Sequence, residues 1–218
     1  MLRLCPYFVF FAALVFASCQ KNAPAQSSSA SALPPITDET DASGAPIRKP
    51  NPWKNHGCDL ITDDDIKTLF GVDRARDVLN ARSLPDQAFC LRTWNKPDWK
   101  ERETANEKDG ATTYLNPQNR LVVQVFGYGT VLTAKEQFAM LRRDRRSTYE
   151  EDVPNLGDEA LWSTSTVTLL VRRGHLVLNL ALEYSDTPHD NLAKAKEVAQ
   201  LALPRIWNPT NAGSLTAQ

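Results

Sequence analysis

The side chains with the chemistry for catalysis are few and scattered in this sequence. Its three histidines, His56, His175 and His189, have no neighbouring nucleophile in a recognisable pattern. The chain contains neither a Gly-x-Ser-x-Gly elbow nor a His-Glu-x-x-His helix motif, which mark many serine hydrolases and zinc peptidases. A glycosidase-type carboxylate pair has no sequence signature, so that alternative stays open. The sequence therefore predicts a protein that is not an enzyme and that needs no cofactor.

Cys19 ends an N-terminal segment with the parts of a lipoprotein signal peptide. Arg3 supplies positive charge, residues 7–16 form an apolar run, and Ala17 and Ser18 precede the cysteine. The run is shorter than the roughly 20 residues that a membrane-spanning helix needs. The pattern resembles the bacterial lipobox, although Phe16 stands where leucine is usual. The resemblance implies that residues 1–18 are a cleaved signal peptide and that Cys19 is lipidated.

The alternative for Cys19 is an ordinary secretory signal followed by an unrelated cysteine. If the lipid is present, its acyl chains, palmitate among them, are sufficient for stable membrane attachment. Gln20 follows the cysteine in place of an aspartate. By the sorting rule of bacteria with two membranes, this residue predicts a lipid anchor in the outer membrane, with the protein in the cell envelope facing the periplasm.

Cys58 and Cys90 remain in the mature chain, since Cys5 lies in the signal peptide. An exported compartment is oxidising, so we expect the isolated pair to form a disulfide bond. In the chain-entropy model, a loop of this length gives roughly 3–4 kcal/mol of stabilisation. The competing interpretation is a metal site that begins with His56 and Cys58. Tetrahedral zinc needs four ligands, and no second pair of ligands follows.

Three consecutive aspartates, residues 63–65, suggest either a calcium site or the first turn of a helix. Thr62 before them is a good N-cap, and the helix dipole favours carboxylates in the first turn. Gly71 is typical of a helix end. Since the other positions of an EF-hand are missing, we predict a helix here and no metal.

Two stretches are candidate partner surfaces. The first is the polar stretch 95–119, which we predict to be a long exposed excursion between two strands. Its candidate contact residues are Trp99, Lys100 and Arg102. The second is a basic cluster at the end of a predicted helix, formed by Arg142, Arg143, Arg145 and Arg146. Two simpler explanations stay open: cations stabilise a helix C-terminus without any partner, and Trp99 covers the base of a loop.

Hydrophobic periodicity predicts an α+β fold. Alternation indicates a strand over 89–94, and apolar runs indicate strands over 121–126, 167–172 and 176–182, with a further strand near Leu161 and Trp162. Periodic apolar residues indicate helices after Thr62, after Thr133 with Glu136 completing a capping box, and over 189–206. The last helix has an apolar face that includes Leu192, Ala195, Val198, Ala199, Leu201 and Ala202. We therefore expect an antiparallel sheet of about five strands with about three helices packed on it, and one disulfide.

Composition divides the mature chain into three parts. Residues 19–55 are rich in Ser, Ala and Pro, which predicts a lipid-anchored disordered tether. Residues 56–207 are expected to form one α+β domain, and residues 208–218 a flexible tail. The formal net charge of −1, with acids and bases interspersed, argues against a nucleic-acid partner.

A family resemblance accompanies these motifs. Cys58-Asp59-Leu60-Ile61-Thr62 leads into a short helix ending at Phe70-Gly71, and Cys90 is followed by Trp94. This order resembles the small exported bacterial lipoproteins of the DUF3558 type, whose sensor-domain relatives sit outside a serine/threonine kinase. Residues 156–162 and 171–175 fit the same pattern, so the resemblance covers most of 58–206. It implies a lipid-anchored α+β domain with a Cys58–Cys90 disulfide and no catalytic residues.

Two functions fit these expectations. The first is an accessory or sensor lipoprotein that binds a protein or cell-wall partner in the envelope. The second is an immunity or inhibitor lipoprotein that neutralises a toxin or hydrolase in the periplasm. A ligand binder should have a concave apolar pocket, whereas an inhibitor should have an exposed, rigid loop able to enter a cleft.

Overall fold

The computed structural model describes residues 36–73, 75–78, 87–108, 113–143 and 149–207. The strands are β1 (Arg76–Val78), β2 (Gln87–Asn95), β3 (Gln118–Gly127), β4 (Glu151–Asp152), β5 (Glu159–Ser163), β6 (Thr168–Arg173) and β7 (Leu176–Glu183). The α-helices are α1 (Asp63–Phe70), α2 (Trp99–Asn106), α3 (Val131–Arg143) and α4 (Pro188–Trp207). The strands form one antiparallel sheet in the order β1-β2-β3-β7-β6-β5-β4.

The predicted α+β class and antiparallel sheet are confirmed. Five strands have five or more residues, as expected, and the very short β1 and β4 are added at the two edges of the sheet. The predicted signal peptide, Cys19, the first part of the tether, Arg145, Arg146 and the tail 208–218 lie outside the described residues.

The main core lies between the sheet and α4. In β7, Leu178, Leu180 and Leu182 point to this face because side chains alternate along a strand. They pack with the inward face of α4, which contains Leu192, Ala195, Val198, Ala199 and Ala202. Leu201 does not belong to this face, since it is partly exposed to solvent, so that part of the prediction was wrong.

Helix α3 covers part of the opposite face of the sheet. Phe138 of α3 packs against Leu161, Leu170 and Val177, the alternate residues of β5, β6 and β7. Each of these strands is therefore buried on both faces, which explains why they read as nearly continuous apolar runs.

Helix α1 begins and ends where the sequence predicts. The Thr62 hydroxyl accepts a hydrogen bond from the Asp65 backbone N–H, and the Asp65 carboxylate accepts from the Thr62 N–H, forming a capping box. Gly71 ends the helix with a positive φ of 70°. The aspartates 63–65 thus lie in the first helical turn.

The Cys58–Cys90 disulfide is present, and it joins the turn before α1 to β2. Gly57, beside Cys58, lies so close to β2 that a Cβ there would be 2.5 Å from the Phe89 carbonyl carbon. Any side chain at 57 would push the turn away from the strand. The Cys58–Cys90 disulfide therefore forms beside a close backbone contact that only glycine at position 57 permits.

The folded domain begins before residue 56. Trp53, in the predicted tether, is only 2% exposed, and its indole N–H donates to the Ile206 carbonyl at 3.3 Å. Asn51 donates to the Val125 carbonyl at 2.9 Å. The described residues 36–55 are thus packed on the domain, because a few anchoring side chains within this polar segment reach the core.

The same segment caps α3, which corrects the predicted helix start. The Asp38 carboxylate accepts hydrogen bonds from the N–H groups of Val131 and Leu132 at 2.6 and 3.1 Å. Thr130 is the local cap, since its hydroxyl accepts from the Thr133 N–H at 3.1 Å. Thr133 therefore lies in the first turn, and the predicted Thr133–Glu136 capping box was wrong.

The described parts of the stretch 95–119, residues 95–108 and 113–119, do not form a simple exposed excursion. They contain α2, and the Asn106 side chain at the end of that helix forms two hydrogen bonds of 2.8 Å with the backbone N–H and C=O of Leu115. Because α2 has no buried residues, its sequence lacks the apolar stripe that would have revealed it.

An Asp65→Asn substitution should destabilise the domain in a pH-dependent way. The Arg205 guanidinium, 2.5 Å from Asp65 Oδ2, lowers the pKa of that carboxyl from 3.8 to about 2. The stabilisation is therefore complete above about pH 4 and is lost as the pH falls towards 2. After allowance for solvent screening it is about 1–2 kcal/mol. Urea unfolding at pH 7 and at pH 2–4 measures it.

Asp64→Asn is the matched control, because Asp64 lies in the same helical turn and is exposed. This control should change the free energy of unfolding by less than about 0.5 kcal/mol. Equal losses for the two variants, or a loss for Asp65→Asn that does not shrink below pH 4, would contradict the assigned ion pair.

Candidate functional site

A groove of about 370 Å³ lies at one end of the sheet. β2 ends there, β3 begins there and β7 ends there, since the three strands are antiparallel neighbours. The C-terminal end of α1, the start of α2 and the turn between β7 and α4 complete its wall. The lining residues are Phe70, Val72, Trp94, Asn95, Lys96, Pro97, Asp98, Arg102, Asn119, Tyr184, Ser185 and Asp186.

Three aromatic rings form one part of the groove wall. The Phe70 ring centroid lies 4.7 Å from that of Trp94 and 5.3 Å from that of Tyr184, both in tilted arrangements. These separations are in the range of favourable aromatic pairs. Trp94 is buried, Phe70 is half-buried, and Tyr184 is 37% exposed. The aromatic cluster thus reaches from the core to the surface of the groove.

Four charged side chains form a second part of the wall. Arg102 Nε donates to both carboxylate oxygens of Asp98 at 2.9 Å, and Arg102 Nη2 donates to Asp186 Oδ2 at 2.6 Å. Lys96, only 6% exposed, donates from Nζ to Asp186 Oδ1 at 3.2 Å. Two cations therefore face two carboxylates, and the formal charges of the network cancel.

The ion pairs keep both carboxyl groups ionised at neutral pH. Hydrogen bonds from Arg102, and then from Lys96, lower the pKa of Asp186 from 3.8 to about 2. Arg102 likewise lowers the pKa of Asp98. Each carboxylate still has lone pairs open to solvent, since the side chains of Asp98 and Asp186 are 51% and 64% exposed.

Buried asparagines hold the groove wall in place. Asn191 in α4 accepts hydrogen bonds from the N–H groups of Tyr184 and Ser185 at 2.9 and 2.7 Å and donates to the Ser185 carbonyl. Asn119 is placed so that its amide oxygen accepts from Trp94 Nε1 at 2.8 Å and its nitrogen donates to the Tyr184 carbonyl at 3.0 Å. These bonds tie the turn after β7 to both α4 and β3.

The first candidate surface is only partly in the groove. Arg102 lies at its centre, where it connects Asp98 and Asp186. Trp99 and Lys100 do not line it. They contact each other on α2, with Lys100 Nζ 5.4 Å from the centroid of the Trp99 ring system.

The second candidate surface is not brought together with the first. Arg142 is engaged locally, since it donates to Asp152 at 2.7 Å and to Glu159 at 3.4 Å. Arg143 is exposed beside Glu136, Ala139 and Met140 on the outer side of α3. For Arg142, the interpretation as part of the domain's own ion pairs is therefore the better one.

Most groove residues were not singled out from the sequence. They come from two short runs that follow strands, Trp94-Asn95-Lys96-Pro97-Asp98 and Tyr184-Ser185-Asp186. Aromatic and polar residues directly after a strand are a usable signal, because loops at strand ends often form binding sites. The missing information was that β3 and β7 are neighbours, which brings the two runs together.

The described ranges contain no group of three or more His, Cys, Asp or Glu side chains suited to a metal ion. Within the same ranges, no helix combines the length and apolar character that a membrane span requires.

Comparison with protein-family models, curated proteins and solved structures finds no match to this chain.

An Arg102→Gln substitution should raise the pKa of Asp186 from about 2 towards the ordinary 3.8, because the strongest hydrogen-bond donor to that carboxylate is removed. Carboxyl ¹³C NMR titration of aspartate-labelled protein measures the change. The matched control is Arg120→Gln, which removes the arginine that pairs with Glu183. An unchanged Asp186 pKa in Arg102→Gln would contradict the geometry of the network.

Proposed function

We propose that this chain is a non-catalytic, lipid-anchored protein of the cell envelope that binds a protein or cell-wall partner in an accessory or sensor role. The observation that carries the proposal is the groove at the end of the sheet, with its aromatic wall and its fixed polar groups. Its volume is within the range typical of small-ligand sites, and such sites combine apolar walls with a few placed polar groups.

The state of the groove carboxylates supports binding over catalysis. A glycosidase uses one carboxyl group as a general acid, and that group needs a raised pKa to hold its proton at neutral pH. Here Arg102 lowers the pKa of both Asp98 and Asp186. Neither group is therefore suited to donate a proton to a leaving group.

The lipobox-like sequence supports the envelope location. Cys19 follows Ala17 and Ser18 after a short apolar run, as in bacterial lipoproteins. The disulfide between Cys58 and Cys90 fits an oxidising compartment outside the cytoplasm. A lipid on Cys19 would place the groove near the outer membrane, facing the periplasm.

A second candidate is the inhibitor or immunity function, and one observation favours it. Tyr114 is 73% exposed, and its neighbour Leu115 is held to α2 by the two Asn106 hydrogen bonds. An exposed aromatic side chain beside a fixed backbone could enter the cleft of a hydrolase or toxin.

Replacing Cys19 with alanine should abolish acylation of the chain, because the acyl chains are attached through the cysteine sulfur. Labelling of cells that produce the full chain with an alkyne-tagged palmitate is expected to mark the wild-type protein and not the Cys19→Ala protein. Cys5→Ala is the matched control and should be labelled like the wild type. Labelling of Cys19→Ala at the wild-type level would contradict the lipid on this residue.

Affinity capture with the full chain should recover one envelope component, and two tyrosine variants identify its docking site. Tyr184→Ala, in the groove wall, should remove at least about 90% of the captured partner, corresponding to roughly 1.4 kcal/mol. Tyr114→Ala should leave capture unchanged. Quantitative mass spectrometry and glycan analysis of the eluates give the readout.

The opposite dependence, with loss only in Tyr114→Ala, would favour the inhibitor function. Capture of nothing by the wild-type chain would contradict both functions. Circular dichroism and thermal unfolding of each variant show whether the fold is retained.

A further inference from the structure

We propose that the groove binds an uncharged sugar unit of an envelope glycan. This inference rests on the proposed binding function and gives it a ligand class. Its basis is that aromatic side chains and a charge-balanced network of hydrogen-bonding groups line the same groove.

The aromatic wall fits the apolar side of a sugar ring. A pyranose presents C–H groups on its flat faces and hydroxyl groups around its edge, so aromatic side chains contact the faces. Tyr184 lines the groove and is 37% exposed, and the Phe70 ring packs against it at a centroid distance of 5.3 Å. A ligand that stacks on Tyr184 therefore meets a side chain already in contact with its neighbour.

The polar wall fits hydroxyl groups, which both donate and accept hydrogen bonds. Asp98 and Asp186 are acceptors with solvent-exposed lone pairs, and the partly exposed Arg102 guanidinium is the donor beside them. Since these groups are already placed by their mutual ion pairs, a neutral ligand needs little rearrangement of the wall.

The charge balance disfavours charged ligands. An anion would approach Asp98 and Asp186, both ionised, and a cation would approach Lys96 and Arg102. The formal charges of the network cancel, so it offers neither an anion nor a cation a net electrostatic attraction.

Calorimetric titration of the full chain, purified from its membrane in mild detergent, tests the ligand class. The probes are neutral trisaccharides of glucose, mannose, galactose and N-acetylglucosamine, at concentrations up to about 10 mM. At least one should bind with a dissociation constant on the order of 0.1–1 mM. The glucosamine trimer, which replaces each acetamido group with an ammonium, and the galacturonate trimer should bind at least about tenfold more weakly.

Tyr184→Ala should weaken binding of the neutral trisaccharide at least about tenfold, and Tyr114→Ala should leave it unchanged. Binding in the millimolar range by none of the neutral probes, tighter binding of a charged trimer, or binding that persists in Tyr184→Ala would overturn the sugar assignment. If the sugar probes fail while envelope capture still depends on Tyr184, the binding function stands with another ligand. If both fail, the proposed function also falls.

Discussion

Two buried amide side chains determine the shape of the end of the sheet. Asn191 and Asn119 are almost fully buried, and a buried amide without hydrogen-bond partners is costly. The Asn191 amide pairs with the backbone of Tyr184 and Ser185, and the Asn119 amide pairs with Trp94 and the Tyr184 carbonyl. The turn after β7 therefore cannot move without leaving both amides unpaired. This constraint holds one wall of the groove at a fixed distance from β2 and β3.

The charged network depends on the same constraint. Asp186 lies two residues after Tyr184 in the turn that Asn191 holds, so its carboxylate is brought to Lys96 and Arg102 by the fold. Lys96 is buried, and an ammonium there requires a counter-charge. The same fixed turn therefore positions Tyr184 in the aromatic wall and Asp186 in the charged network. A binding surface fixed in advance loses less conformational entropy when a ligand docks.

The fold followed from local patterns wherever these were strong. Thr62 and Gly71 begin and end α1 as their types predict, the apolar runs in β3 and β7 located these two strands, and Cys58 and Cys90 paired. Helix α2 was missed because it buries no residue and has no apolar stripe. The contacts of residues 36–55 were missed because Trp53 binds a carbonyl 153 positions later in the chain, which no local pattern records.

Local sequence patterns did not predict the groove either, because its lining residues are also far apart in the sequence. Trp94 and Tyr184 are 90 positions apart in the sequence. They line the same groove because β3 pairs with β2 on one side and with β7 on the other. Arg102 was chosen as a contact residue from its charge and its position near Trp99. Its role as the connection between Asp98 and Asp186 depends on the strand order, which sequence periodicity does not specify.

Hydrogen exchange of the Tyr184 and Ser185 amides tests most directly whether the groove wall is fixed in the free protein. Both N–H groups donate to the buried Asn191 side chain, so they should exchange as slowly as the central amides of β7, such as that of Leu180. NMR of the full chain in deuterated buffer measures each amide separately. Exchange of both amides at the rate of an exposed turn, with β7 still protected, would show that the wall is mobile and would contradict a groove preformed for its ligand.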